Sequence, residues 1–426
     1  MPTEDRRESG FKHRTRLSAA REQLLSAVTP HDRTERLPLS LADGRVVATE
    51  LTAPNPVPNY ERAAMDGYAV RATDTVGAAD TSPVVLDALD RGADCRPGAA
   101  VPVHTGSVVP DGADAVVKIE VTDDRDTEIE VFATVPEGGN VGPVGEDVAE
   151  GQTLYEPGDR LRPSDLGLLK SVGCHEVSVH QQPTVGVVPT GEELVESDPD
   201  PGEIVETNGG TVAQLADRWG GQPTYRNTVT DDPSALRAAL QRDLTKDIVV
   251  TTGGSSVGER DLLPEVVDDL GEVLVHGVAI KPGYPVALGV VQETPILMLP
   301  GNPVACIVTA VQLLRPVLKR AGHLPVEPLP TRPATLARKL PSEPGTRTFA
   351  RVETSDADDS DGRAAANGDD GDDTDAPSLT ATPVRTGGAG ILSSVALADG
   401  WVVVPEDREG YGEGETVTVE NWEALP

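Results

Sequence analysis

The chain has 426 residues, and 36 Lys and Arg against 70 Asp and Glu leave a formal net charge of −34 at pH 7. That charge argues against a nucleic-acid partner, because binding to a phosphate backbone depends on Lys and Arg neutralising phosphates. The length exceeds one ordinary domain of roughly 100–200 residues and points to three or four. With aromatics at only 3%, the acidic composition reads as a halophilic adaptation, in which salt screens the repulsion between surface carboxylates.

Cys95, Cys174 and Cys306 lie far apart with no CxxC pairing, which argues against a disulfide framework or a zinc cluster. The opening Met1-Pro-Thr-Glu-Asp-Arg-Arg has no apolar run behind it, so a cytoplasmic location without a secretory leader is expected. The longest apolar stretch, Ile296 to Leu318, is interrupted by Pro300, Asn302, Pro303, Gln312 and Arg315. Those interruptions suit a strand, a turn and a helix; no membrane span is expected.

Leu17, Ala20, Leu24, Leu25 and Val28 recur at helical spacing ahead of Pro30, predicting a packing helix within residues 1–50, which otherwise read as a linker segment. Residues 51–150 consist of short Val-rich runs punctuated by Gly and Pro, a β-rich domain. A short helix is expected from Leu161 to Gly173, with Pro163 and Ser164 at its start. Apolar strands then alternate with helices: Thr184-Val-Gly-Val-Val before a helix around Thr211 to Trp219, Asp247-Ile-Val-Val-Thr-Thr before Leu262 to Leu270, and Ile296-Leu-Met-Leu before Pro303 to Ala321. Uninterrupted apolar strands between helices predict a parallel sheet covered on both faces, so 151–325 is read as an α/β domain with the N-terminal segment packed nearby. Residues 326–426 return to short strands, a small β-barrel interrupted by an acidic insert at 355–375 whose composition predicts disorder. The fold class is multidomain α/β plus β.

Open α/β sheets bind ligands outside the carboxyl ends of their strands, which is where candidate residues gather. In Thr251-Thr-Gly-Gly-Ser-Ser-Val-Gly-Glu-Arg-Asp261, glycines 253, 254 and 258, with Ser255 and Ser256, follow a strand and open a helix. Such a loop can bring backbone N–H groups onto a phosphate, or it can be a plain glycine-rich turn; the local sequence leaves both open. Asp232 precedes Pro233 as a helix cap. Asp231, Glu193 and Asp261 fall at strand ends on one sheet edge, a carboxylate set suited to Mg²⁺ or simply to water. Lys281, in a chain poor in lysine, ends an apolar strand and could meet an oxyanion or extend into solvent. Pro300-Gly-Asn-Pro303 opens the last long helix, with Asn302 as its cap or as an anion contact.

Two earlier runs, Ala64-Met-Asp-Gly-Tyr-Ala-Val70 and Thr105-Gly-Ser-Val-Val-Pro-Asp-Gly-Ala-Asp-Ala-Val-Val117, are turns by local chemistry. Combined in order with Gly145-Glu-Asp-Val, Thr190-Gly-Glu-Glu-Leu, the Gly-Gly-Ser-Ser-Val-Gly loop, Ile280-Lys-Pro-Gly and Pro-Gly-Asn-Pro, they resemble the molybdopterin molybdotransferases, relatives of the gephyrin E domain. The resemblance runs from near Leu17 to Val419, with only the acidic insert lacking a counterpart. It implies a homodimer that takes molybdate and adenylylated molybdopterin, requires Mg²⁺ and releases AMP, with molybdopterin adenylyltransferase as a further partner. By motif it carries over Asp66, Thr105, Glu193, Asp231, Asp261 and Lys281 as active-site positions, with Asp231, Asp261 and Glu193 around the metal. The glycine loop, Lys281 and the segment Pro300, Asn302 and Pro303 would then meet substrate.

Departures accompany the resemblance. Tyr284 stands where many members carry a second lysine, Gly277 where many carry another, Gly142 where many carry Arg, and Ala63 where many carry Ser. A less cationic oxyanion pocket is expected, with molybdate or tungstate as the anion. A non-catalytic gephyrin-like scaffold and a molybdopterin adenylyltransferase are the alternatives; the extra domains argue against the second, and the retained carboxylate and lysine set argues against the first.

Overall fold

The computed structural model describes residues 14–254, 262–356, 379–384 and 391–424. The chain forms two compact units, Thr34–Val179 and the remainder, leaving one unit after Arg33 and returning to it at His180.

In the Thr34–Val179 unit, β1 (Gly67–Val70), β2 (Val84–Ala88), β3 (Ala99–Val103), β4 (Ala115–Lys118), β5 (Thr122–Asp124) and β6 (Glu128–Val131) form one sheet in the order β4-β1-β3-β2-β6-β5. Tyr68, Val70, Leu86, Ile129 and Val131 pack on one face, while Ala63, Ala69, Val101 and Val116 pack on the other. This alternation follows from the two-residue period of a strand buried on both sides. At Gly67 a Cβ would stand 1.9 Å from the Val117 carbonyl oxygen, so no side chain can occupy the position. A smaller cluster places Leu161 and Leu169, the latter on the helix Pro163–Ser171, against Val47, Val177 and Val179.

The second unit opens with α1 (Leu17–Ser26), which buries Leu17, Ala20 and Leu24. Its main sheet runs β8-β7-β9-β13-β12-β10, built from β7 (Thr184–Pro189), β8 (Gln222–Tyr225), β9 (Ile248–Thr252), β10 (Glu272–His276), β12 (Ala287–Val291) and β13 (Thr294–Leu299). The first four strands are parallel, as expected; β12 and β10 continue the sheet antiparallel. Helices of this unit are Asn208–Arg218, Pro233–Asp243, Leu263–Leu270 and Pro303–Ala321, the last a continuous helix with a π turn at Ala310–Leu314. Helix Pro233–Asp243 starts as its sequence dictates: Asp232 Oδ1 accepts from Ser234 N and Ala235 N at 3.0 and 2.9 Å. Val187, Val250, Leu297 and Leu299 pack on one sheet face, with Val188, Val249, Ile296 and Met298 on the other. Both faces of the parallel strands are thus covered, which explains their uninterrupted apolar sequences.

The C-terminal strands β14 (Thr331–Leu336), β15 (Arg347–Asp356), β16 (Leu379–Pro383), β17 (Gly400–Val404) and β18 (Thr416–Glu420) close a five-stranded barrel in the order β14-β18-β17-β15-β16 and back to β14. A two-residue strand, β11 (Ile280–Lys281), lies parallel to β15. Along β15 successive residues serve two cores: Ala350 and Val352 line the barrel, whereas Phe349 joins Trp401 and Trp422 in the core of the α/β sheet. Strand β15 continues through Ser355 and Asp356, the first two residues of the acidic insert; the rest of the insert, 357–375, lies outside the described residues. Among the described residues, no helix is long and apolar enough to cross a membrane.

Candidate active site

Strands β7, β9 and β13 end side by side, and three chain segments leave them together. Thr190 N donates to the Thr252 carbonyl at 3.3 Å and Gly253 N to the Leu299 carbonyl at 3.0 Å. Gly253 has φ +120°, and a Cβ there would stand 2.3 Å from the Thr190 carbonyl oxygen; Gly254 follows at φ +64°. Gly301 also comes close, its Cβ position being 3.7 Å from Gly253 Cα, and Asn208 Nδ2 donates to its carbonyl at 2.7 Å. The result is a backbone-lined floor at the carboxyl end of the parallel sheet, whose positive φ angles at Gly253 and Gly254 favour glycine.

Thr190, Thr251 and Thr252 are 2%, 0% and 1% exposed, and their hydroxyls have no hydrogen-bond partner among the described residues. Buried hydroxyls are ordinarily satisfied, so these three near the ends of β7 and β9 stand out; Thr251 and Thr252, successive on β9, turn to opposite faces of the sheet. Ser255, Ser256, Gly258 and Asp261 lie outside the described residues.

Glu193 and Asp231 are brought to this same edge. Beyond β7 the chain pairs with a second segment: Gly191 N donates to the Val229 carbonyl at 3.1 Å and Val229 N to the Pro189 carbonyl at 2.8 Å. The pairing sets Asp231 two residues past Val229, and the Glu193 carboxylate folds back over Gly191, 2.9 Å from where a Cβ would stand. Among the described residues no three His, Cys, Asp or Glu side chains converge as a ready-made metal cage. Glu193 and Asp231 at this edge are compatible with Mg²⁺, which commonly takes one or two protein carboxylates together with phosphates and water.

Lys281 ends β11 with its side chain exposed, and Thr348 of β15 stands opposite it in the ladder. Three residues further along β15 is Arg351, 4% exposed, whose Nε and Nη2 have no partner among the described residues; two-residue alternation puts it on the Phe349 face of the strand. Burial pushes the Arg351 guanidinium below its ordinary range, though its ordinary value is so high that it remains cationic. Guanidinium nitrogens buried without a partner cost stability unless an acceptor meets them. At the expected less cationic loop, Arg14 stacks over the Tyr284 ring with its guanidinium carbon 4.9 Å from the ring centroid. A cation therefore stands beside the tyrosine.

Asn302 occupies the residue before helix Pro303–Ala321, but its side chain makes no capping hydrogen bond and is exposed. Of its two readings, cap or anion contact, the cap is therefore not made. Pro300 and Pro303 flank it at the end of β13.

Asp66 and Thr105 lie in the other unit and meet there. The ladder pairs Gly67 with Val103, so the residues just outside it, Asp66 on one strand and His104 and Thr105 on the other, are neighbours. Thr105 N and Oγ1 donate to Asp66 Oδ1 at 2.6 and 3.0 Å. These two bonds, the backbone one foremost, hold the Asp66 carboxyl below the usual carboxylate range.

Sequence reasoning missed Arg351, Asn208 and the threonine hydroxyls. Asn208 had a signal, because Thr-Asn-Gly-Gly follows a short apolar pair and opens a helix. Arg351 had none: an arginine in an alternating β-strand reads as solvent-facing, and only the second core against that face buries it.

Three family models account for most of the chain: the MoeA N-terminal region (domains I and II) at residues 15–173, a probable molybdopterin binding domain at 186–320, and the MoeA C-terminal region (domain IV) at 372–422. The molybdopterin molybdenumtransferase of Haemophilus influenzae is 31% identical over 422 residues, 96% of this chain and 99% of that protein. That of Bacillus subtilis is 32% identical over 391 residues, 88% of this chain and 86% of its own. Two crystal structures of the molybdopterin biosynthesis MoeA protein from Pyrococcus horikoshii match with TM-scores of 0.79 and 0.77 at 31% and 29% identity, covering 97% and 96% of this chain and 100% and 99% of theirs. With its domains, barrel and sheet matching end to end, the chain belongs to the MoeA family of molybdopterin molybdenumtransferases, the transferases of molybdenum cofactor biosynthesis.

Proposed function

We propose that the protein, acting as a homodimer in the cytoplasm, takes adenylylated molybdopterin and molybdate, cleaves the adenylate and yields molybdenum cofactor plus AMP. The observation that carries this reading is the glycine floor, with threonine hydroxyls nearby that have no partner among the described residues, at the carboxyl edge of the sheet in the domain matched by the probable molybdopterin-binding model. Gly253 and Gly254 let the backbone approach a phosphate closely, and the Thr190 hydroxyl, beside Gly253, would supply a donor. Glu193 and Asp231, with Asp261, would hold Mg²⁺, which offsets negative charge on the pyrophosphate. Lys281 would receive the oxyanion as a mobile point charge, and Arg351, on the other face of β15, is a second cation of the same strand neighbourhood. Asp66, oriented by Thr105, would accept a hydrogen bond from substrate.

The test is AMP release from adenylylated molybdopterin at high KCl with Mg²⁺, with molybdate or tungstate added in turn. Oxyanion-dependent release supports the reading and shows which anion is preferred. Binding of the pterin nucleotide with no release under either anion would refute it in favour of a scaffold on the same fold.

A further inference from the structure

Asp66 is held at one of its two oxygens. Oδ1 takes both Thr105 bonds, whereas Oδ2 accepts from no described residue. A third group faces Oδ1: His104 Nδ1, at 3.8 Å. Behind that imidazole, Arg91 Nη2 lies 2.5 Å from Nε2. A guanidinium can only donate, so Nε2 must be the acceptor and the ring proton sits on Nδ1, toward Asp66. The His104 backbone is pinned as well, its N donating to Ser107 Oγ at 3.1 Å and its carbonyl accepting from Ser107 N at 2.8 Å. The His104 and Asp66 side chains are 60% and 57% exposed, so this line of groups supports no core.

We propose that Arg91 and His104 are positioning residues for Asp66: Arg91 fixes the imidazole tautomer, and the Nδ1–H dipole steadies Oδ1 so that Oδ2 is presented to substrate. At 3.8 Å the contact is longer than a hydrogen bond, so the Nδ1–H acts on Oδ1 as a nearby dipole. The inference rests on the reading in which Asp66 acts in the reaction.

The experiment compares wild type, His104→Phe, His104→Asn and Arg91→Met. All four should melt together, because the side chains are exposed. His104→Phe should lower kcat at least tenfold with KM for molybdate unchanged, and His104→Asn, whose amide replaces the Nδ1 donor, should recover to within threefold of wild type. Histidine-selective ¹⁵N NMR should find the His104 proton on Nδ1 in wild type and shared between the two nitrogens in Arg91→Met. Unchanged kcat in His104→Phe, or a proton on Nε2 in wild type, overturns the proposal. Absence of turnover in wild type would instead strike the functional reading, and the tautomer would then decide the Arg91–His104 arrangement on its own.

Discussion

Gly253→Ala tests the floor of the site directly. Two costs arise there. The residue sits at φ +120°, a region in which a side-chain-bearing residue is strained by roughly 1–3 kcal/mol. The new Cβ would also stand 2.3 Å from the Thr190 carbonyl oxygen, and the obstruction is backbone, so no rotamer change relieves it. Neither partner can retreat cheaply: Gly253 N is bonded to the Leu299 carbonyl at 3.0 Å and Thr190 N to the Thr252 carbonyl at 3.3 Å, so moving one strand end disturbs a neighbour. Overpacking of this kind costs roughly 1–3 kcal/mol more. The sum, about 4 kcal/mol, corresponds to a melting midpoint lower by roughly 10 °C in a unit of this size. Gly210→Ala is the control in the same unit, since its Cβ meets nothing within 4 Å and it lies in a helix; it should be neutral or stabilising by up to about 1 kcal/mol. Scanning calorimetry at high KCl reads both. Coincident melting of the two variants would refute the close approach at Gly253.

Other outcomes follow from buried charge. Asp243 is fully buried and takes Arg226 Nη2 at 2.5 Å and Arg242 Nη2 at 2.9 Å, so Asp243→Ala should destabilise by roughly 3 kcal/mol in urea unfolding, the low end for a broken buried pair because both guanidinium groups reach water. Arg351→Met should raise the melting temperature, since it removes two buried guanidinium nitrogens without partners among the described residues, while raising KM for molybdate at least tenfold; loss of stability together with an unchanged KM would contradict an oxyanion role. Burial lowers the pKa of His31 and of His180, which stacks on His323 with ring centroids 3.8 Å apart. The unfolded chain therefore binds more protons than the folded one below about pH 6.5, so stability should be flat above that pH and fall as pH drops beneath it. Urea midpoints at pH 7.5 and 5.5 check the sign, and His31→Gln with His180→Gln should flatten the difference.

What the sequence makes legible depends on whether a residue's surroundings are local. The strands Thr184–Pro189, Ile248–Thr252 and Thr294–Leu299 announce themselves because burial on both faces requires unbroken apolar runs. The Asp232 cap is equally readable, its partners being two and three residues away. The antiparallel edge of the α/β sheet is not, because nothing in Ala287–Val291 specifies the direction of its neighbour. The same applies to the site. Gly253 and Lys281 carry local signals, whereas the burial of Arg351 is decided by a barrel strand that turns one face to a second core, and His104 meets Asp66 only through the register between Gly67 and Val103. Asn302 shows the converse: its sequence position allowed a cap or an anion contact, and the fold leaves its side chain exposed without a capping bond.

The central claim is that one site couples phosphoanhydride cleavage to capture of an oxyanion. Its most direct test is to count both products in single turnover, with AMP by chromatography and pterin-bound molybdenum by mass spectrometry. The account predicts one molybdenum retained per AMP released, and loss of both together in Asp66→Asn. AMP released at the same rate without molybdate, or with no metal retained, would contradict it.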